Sequence, residues 1–190
     1  MRKIILASTS ARRKELLAKT GLVFECVASN YKEDMTLSLP PNELVKFLSK
    51  NKAESVARNY TDAIVIGGDT FISFNGHILG KPHTSLRAKE MLKMLSGNEH
   101  SVFTGFTIID TSNNKIVSEA IEAKIKFKDL TDEEIDVYIA TGEPLSRAGA
   151  YAIQTIQKTF IESFVGDYDS IVGLPVNDVM KTLESFGVKL

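Results

Sequence analysis

Ile4-Ile5-Leu6-Ala7-Ser8-Thr9-Ser10-Ala11-Arg12-Arg13-Lys14-Glu15-Leu16-Leu17 is the stretch from which the fold is read. An apolar strand over 3–7 runs into three hydroxyl residues and then into a helix over 10–19 that ends before Gly21. Ser8 to Ser10 are placed to cap the first N–H groups of that helix. Arg12, Arg13 and Lys14 then fall in its first turn, where the helix dipole is already positive. Two readings fit. Either free N–H groups, hydroxyls and guanidinium forks together hold a phosphate or carboxylate, or the cations point into water and the helix tolerates them. A break in local consistency of this kind often marks a functional site.

Working outward, Leu22 to Ala28 reads as a second strand and 29–41 as a polar loop ending in Pro40-Pro41. Apolar residues at helical spacing from Leu44 to Ala57 predict a helix over 42–59. Ala63 to Gly67 reads as a short buried strand. Phe71–Phe74, Asn75-Gly76 and His77–Leu79 carry a hairpin signal. An amphipathic helix follows from Thr84 to Leu95, stopped by Gly97. Two alternating strands, 101–110 and 115–127, flank Ser112-Asn113-Asn114. Thr131 with Glu134 makes a capping box for a helix to about Ala140, which Gly142 and Pro144 then end. A strand over 160–165, a turn-rich loop over 166–175 and a closing helix over 176–186 complete the chain. Hairpins mixed with helices predict an α/β fold with a mixed sheet.

With 190 residues the chain suits one domain, or one domain of two lobes. Lys plus Arg number 23 and Asp plus Glu 24, so there is no global basic field for a nucleic-acid polymer and any anion site must be local. The single Cys26 excludes an intrachain disulfide and a cysteine-based zinc site; its apolar strand pattern places it in the core. No stretch has the roughly 20 apolar residues of a membrane span, and no long signal-peptide apolar region is present. A cytoplasmic location is the expectation.

Gly67-Gly68-Asp69-Thr70 is the second informative stretch. A buried strand delivers a carboxylate at its exit, and two glycines let another group come close. Such an acid can hold a divalent metal or take a proton from water; the alternative is a turn in which Asp69 bonds its own backbone. Lys81 in Gly80-Lys81-Pro82 and Lys52 on the 42–59 helix can reach phosphates as point charges. Glu33 and Asp34 can supply a second metal carboxylate or be a solvated acidic pair. In Ala148-Gly149-Ala150-Tyr151-Ala152-Ile153-Gln154, small residues either admit a flat ligand beside Gln154, a donor and acceptor, or simply pack closely. His77, His83 and His100 have no metal-ligand spacing and receive no role.

These segments, taken in order, resemble the Maf family of nucleoside triphosphate pyrophosphatases along essentially the whole chain. The resemblance is carried by Leu6-Ala7-Ser8-x-Ser10-x-Arg12-Arg13-x-x-Leu16-Leu17, Gly68-Asp69-Thr70, Gly80-Lys81-Pro82, Leu95-Ser96-Gly97, Thr104-Gly105, Gly142-Glu143-Pro144, Ala148-Gly149-Ala150-Tyr151 with Ile153-Gln154, and Val172-Gly173-Leu174-Pro175. It implies a single domain over 1–190, an elongated mixed sheet with flanking helices and two lobes around a central cleft (Maf/ITPase-like), and a homodimer. It also implies metal-dependent cleavage of a nucleoside triphosphate to the monophosphate and pyrophosphate. Asp69 matches the family's proton acceptor. Arg12, Thr70 and Gln154 match the positions that separate its subgroups and point to dTTP and UTP; the subgroup acting on 7-methyl-GTP is similar but differs there. This chain departs from the family pattern in Ala11, Gly68, Ser146-Arg147, Ala152 and Thr155.

On this reading the chain is a pyrophosphatase using Mg²⁺ or Mn²⁺, with water as the nucleophile. Asp69 takes the proton, and Glu33, with Asp69, holds the metal. Ser8, Arg12, Arg13, Lys52, Thr70, Lys81 and Gln154 bind the substrate. The reading from another class is a nucleotide-binding regulator linked to cell division, against which the carboxylate of Asp69 argues.

Overall fold

A computed structural model describes residues 2–32 and 37–188. The strands are β1 (Lys3–Leu6), β2 (Glu25–Cys26), β3 (Ala63–Phe74), β4 (His77–Leu79), β5 (Glu99–Asp110), β6 (Lys115–Phe127) and β7 (Ile161–Val165). The helices are α1 (Ala11–Ala18), α2 (Pro41–Ala57), α3 (Ser85–Leu95), α4 (Asp132–Ala140), α5 (Ile153–Ile156), α6 (Tyr168–Val172) and α7 (Val176–Ser185). The seven strands form one mixed sheet in the order β2-β1-β3-β5-β6-β7, with β4 paired to β3. β1 lies parallel to both β2 and β3, whereas the β3–β4 and β6–β7 pairs are antiparallel. Parallel neighbours require crossovers, which α1 and α2 provide.

The chain divides into two compact units, one of residues 1–69, 104–121 and 168–190, the other of residues 70–103 and 122–167. In the first, Ile5, Leu6, Ile64, Val65 and Ile66 are fully buried, the continuous apolar run expected of parallel strands covered on both faces. Leu44, Leu48 and Val56 of α2 are equally buried, each worth about 1.5–3 kcal/mol on removal from water. Arg2 ties β1 to its surroundings: Nη1 donates to Asp110 Oδ2 at 2.9 Å and Nε to Asp62 Oδ1 at 2.7 Å. The Arg2 guanidinium, with hydrogen bonds from Ser112, holds the buried Asp110 carboxyl well below the usual carboxylate range.

In the second unit α3 and α4 pack together, joined at the surface by Lys89–Asp136 (2.6 Å) and Lys93–Asp132 (2.8 Å). Exposed pairs of this kind contribute little, roughly 0–1 kcal/mol. The predicted capping box is present, with Thr131 accepting from the Glu134 N–H and the Glu134 carboxylate accepting from the Thr131 N–H. Asn75 and Gly76 both take positive φ, as a two-residue hairpin turn requires.

Three expectations need correction. The strand expected over Leu22–Ala28 contracts to Glu25–Cys26, and Cys26 is exposed; its strand lies at the edge of the sheet. The loop expected at 166–175 contains the short helix α6. Gly67-Gly68-Asp69 is not a strand exit. β3 runs unbroken through it, because the glycines serve close packing within the strand.

Candidate active site

Asp69 is buried in the interior of β3. Its carboxylate accepts a short hydrogen bond from Lys52 Nζ, and the two side chains are 8% and 12% exposed. The alternative of a backbone-bonded turn at Asp69 therefore falls. Lys52 reaches Asp69 because α2 lies directly on β3. A Cβ at Gly67 would overlap the Ser49 carbonyl and come within 2.8 Å of Ala53, both on α2. Gly105 repeats the arrangement on β5, where a Cβ would overlap the Val45 carbonyl. Buried hydroxyls fix the contact further: Ser49 bonds Thr107 at 2.9 Å and Thr107 bonds Ser118 at 2.8 Å. Losing one member of a buried ion pair costs about 3–5 kcal/mol, because the other charge is stranded.

Close approach also explains Gly68. A Cβ there would stand 3.2 Å from Arg13 Nε and 3.4 Å from Arg13 Cδ. Arg13 Nε donates to the Gly173 carbonyl at 2.8 Å, and its Nη1 lies 3.5 Å from Ser8 Oγ. The Arg13 guanidinium thus braces the turn after α6 as well as bringing charge to the site. Ser10 caps α1 by accepting from the Arg13 N–H, and Ser8 Oγ accepts from the Ser10 N–H at 3.2 Å. Arg12 is half-buried on the same helix, and α1 carries no acid in its first turn. The structure therefore brings Asp69 to Lys52, and Arg13 to Ser8 and Gly68.

In the second unit the segments carrying Lys81 and Gln154 are stitched together. Gly149 N–H donates to the Gly80 carbonyl at 3.0 Å, and His83 N–H donates to the Leu145 carbonyl at 3.3 Å. Lys81 and Gln154 are exposed and Thr70 is half-buried. Gln154 sits on α5, directly after a turn in which Gly149 and Ala150 have φ of 63° and 64°. A left-handed alanine costs about 1–2 kcal/mol, so its surroundings must hold it. Side chains without an assigned role do so. Tyr151 bonds His100 Nε2 at 2.7 Å within a ring cluster that includes Phe127. The Tyr138 hydroxyl accepts from the Ala152 N–H at 3.1 Å. His100, given no role from spacing, is thus a buried partner, and burial pushes its imidazole down to about 4. Tyr138 reads in sequence as one more apolar position of α4. Gly142-Glu143-Pro144 was the signal pointing to this corner.

For a metal, Glu33 and Asp34 lie outside the described residues. Among the described residues no three His, Cys, Asp or Glu side chains gather as a ligand cluster. Asp69 offers one carboxylate, a donor set that suits a cation held largely by the phosphates of a substrate, as Mg²⁺ commonly is. No helix among the described residues is long and apolar enough to cross a membrane.

Residues 3–186 match the family model described as Maf-like protein. The chain is 46% identical to a "dTTP/UTP pyrophosphatase" of Clostridium novyi (strain NT) over 190 residues, covering 99% of this chain and 100% of that protein. It is 45% identical over 188 residues to a protein of the same name from Bacillus cereus (strain ZK / E33L), covering 99% and 97%. A third, from Bacillus anthracis, is 44% identical over 188 residues, again with 99% and 97% covered.

Proposed function

The chain belongs to the Maf family, and from that membership together with the Asp69–Lys52 pair we infer that it hydrolyses nucleoside triphosphates, dTTP and UTP, to the monophosphate and pyrophosphate. The observation that carries the reading is the buried carboxylate of Asp69, held on a rigid strand beside a lysine. A carboxylate so fixed can take a proton from an attacking water without reorganising. Lys52 neutralises the carboxylate and is a cation that incoming phosphates can claim. Arg12, Arg13 and Lys81 add charge for the triphosphate, Ser8 a hydroxyl, and Thr70 follows Asp69 directly on β3. Gln154 reads the base: its amide accepts from the N3–H of uracil or thymine and donates to a neighbouring carbonyl.

Asp69, with Glu33, would hold Mg²⁺ or Mn²⁺, which when bound offsets charge on the phosphates. The same reading takes residues 1–190 as one functional domain, and the protein as a cytoplasmic homodimer that binds neither nucleic-acid polymers nor membranes. Pyrophosphate release from a panel of nucleotides, with and without divalent metal, tests it. Turnover of UTP and dTTP that stops on chelation is the expected result. No release from either would overturn the reading, and faster hydrolysis of 7-methyl-GTP would overturn its substrate range.

A further inference from the structure

Gln154 owes its position to a turn that does not favour itself. Gly149 and Ala150 are consecutive left-handed residues, and Ala150 is fully buried. A Cβ at Gly149 would overlap the Ile72 side chain, so the turn is pressed against β3. Such a conformation persists only where neighbours over-determine it. One neighbour holds it where the turn gives way to α5. Ala152 is the residue before α5, and its buried N–H donates to the Tyr138 hydroxyl at 3.1 Å. The Tyr138 hydroxyl in turn donates to Glu143 Oε2 at 3.3 Å, and Glu143 Oε1 accepts from Arg147 Nη2 at 3.2 Å. Arg147 begins the same turn, and its carbonyl accepts from the Ala150 N–H at 3.1 Å. The chain of bonds therefore closes on itself, from the start of the turn to its end, through a single phenol. Burial raises that phenol above its ordinary range, so at neutral pH it keeps the proton it gives to Glu143 and presents a lone pair to Ala152.

We propose that Tyr138 is a positioning residue for base selection: by clamping Ala152 against Glu143 and Arg147, it fixes where Gln154 stands. It touches no substrate and acts through Gln154. The inference rests on Gln154 reading the base. It predicts that loss of one hydroxyl, far in sequence from that glutamine, alters which base is accepted while leaving the hydrolytic step alone.

Tyr138→Phe keeps the ring packed on Phe160, whose centroid is 5.4 Å away, and removes only the hydroxyl. The expected result is a rise of about tenfold in KM for UTP, the scale set by leaving one buried amide unpaired, with kcat within about twofold. The ratio of kcat/KM for UTP over GTP should fall with it. Phe160→Leu loosens the same packing without touching the hydrogen bonds, so it should lower Tm and leave that ratio unchanged. If Tyr138→Phe behaves like Phe160→Leu, or slows kcat for every nucleotide equally, the proposal is overturned. Should Tyr138→Phe not fold, Glu143→Ala removes the acceptor that orients the hydroxyl; it should shift the ratio in the same direction, and an unchanged ratio overturns the proposal. Gln154→Ala separates the two levels. A lowered UTP preference there with none in Tyr138→Phe defeats the proposal and leaves the reading of Gln154 standing. An unchanged preference in Gln154→Ala defeats both.

Discussion

The two units hold their candidate residues in place by opposite means. Around Asp69 the work is done by missing atoms. Gly67 and Gly105 omit side chains so that α2 can lie on β3 and β5, and Lys52 arrives over the carboxylate as a consequence of backbone packing. Around Gln154 it is done by added polar groups. Tyr138 and His100 bond Ala152 and Tyr151 just beyond a turn whose own conformation is unfavourable, and Glu143 bonds Arg147 at its start. A site on rigid elements keeps its geometry to fractions of an ångström. A site on a strapped turn can change through a few hydrogen bonds. On the proposed reading, rate would rest on the first arrangement and base selection on the second.

The largest expected effect is on rate. Asp69→Asn should lower pyrophosphate release by roughly 10²–10⁴-fold, the usual worth of a general base, while equilibrium binding of UTP persists. Near-normal kcat in that variant would sink the assignment of Asp69. Next comes a pH effect on stability centred on His100, the partner of Tyr151. Burial lowers the His100 pKa from 6.5 to about 4, so between those values the unfolded chain binds a proton that the folded one does not. Stability is therefore full above pH 6.5 and falls on acidification, by about 3 kcal/mol at pH 4. Urea unfolding at several pH values should trace that loss, and His100→Gln should flatten it. An unaltered slope in the variant would place the acid sensitivity of that window in another group; the Arg2–Asp110 pair, with a lowered carboxyl pKa, would give way only at more acidic pH.

Gly67→Ala comes third. It forces α2 away from β3 and should cost about 1–3 kcal/mol, the usual range for overpacking. It should lower kcat for all nucleotides alike. A change in base preference without a change in kcat would break the division between the two units. The smallest effect is expected from Arg13→Ala, which removes the bond to the Gly173 carbonyl and should lower stability by about 1 kcal/mol, together with a rise in KM for the triphosphate. An unchanged Tm would mean that the bond to Gly173 contributes nothing.

Much of this was legible in the chain. Apolar runs gave β1 and the start of β3, helical spacing gave α2, and Thr131 with Glu134 gave the start of α4 to within a residue. Gly67-Gly68 announced a close approach, and the partners are α2 and Arg13. That β3 continues through both glycines was not legible, because Gly-Gly weakens a strand locally and only tertiary packing restores it. Nor was the pairing of Lys52 with Asp69, which depends on how α2 lies on the sheet. Tyr138 and His100 escaped for a related reason. In a helix or strand pattern, an aromatic or imidazole ring counts as one more buried position, and its polar atom acquires meaning only from a partner distant in sequence. Cys26 escaped because a short apolar run does not reveal whether a strand will be central or at an edge.

That edge has a practical outcome. The chain holds one thiol, and it is exposed on the two-residue strand that ends the sheet. With no second cysteine, oxidation can join it only to another molecule. Air-aged preparations would then accumulate a covalent pair that migrates at twice the chain mass without reductant, and this species must be told apart from any non-covalent homodimer. Cys26→Ser removes the ambiguity. In the native chain, the same thiol accepts a single maleimide dye at a known address.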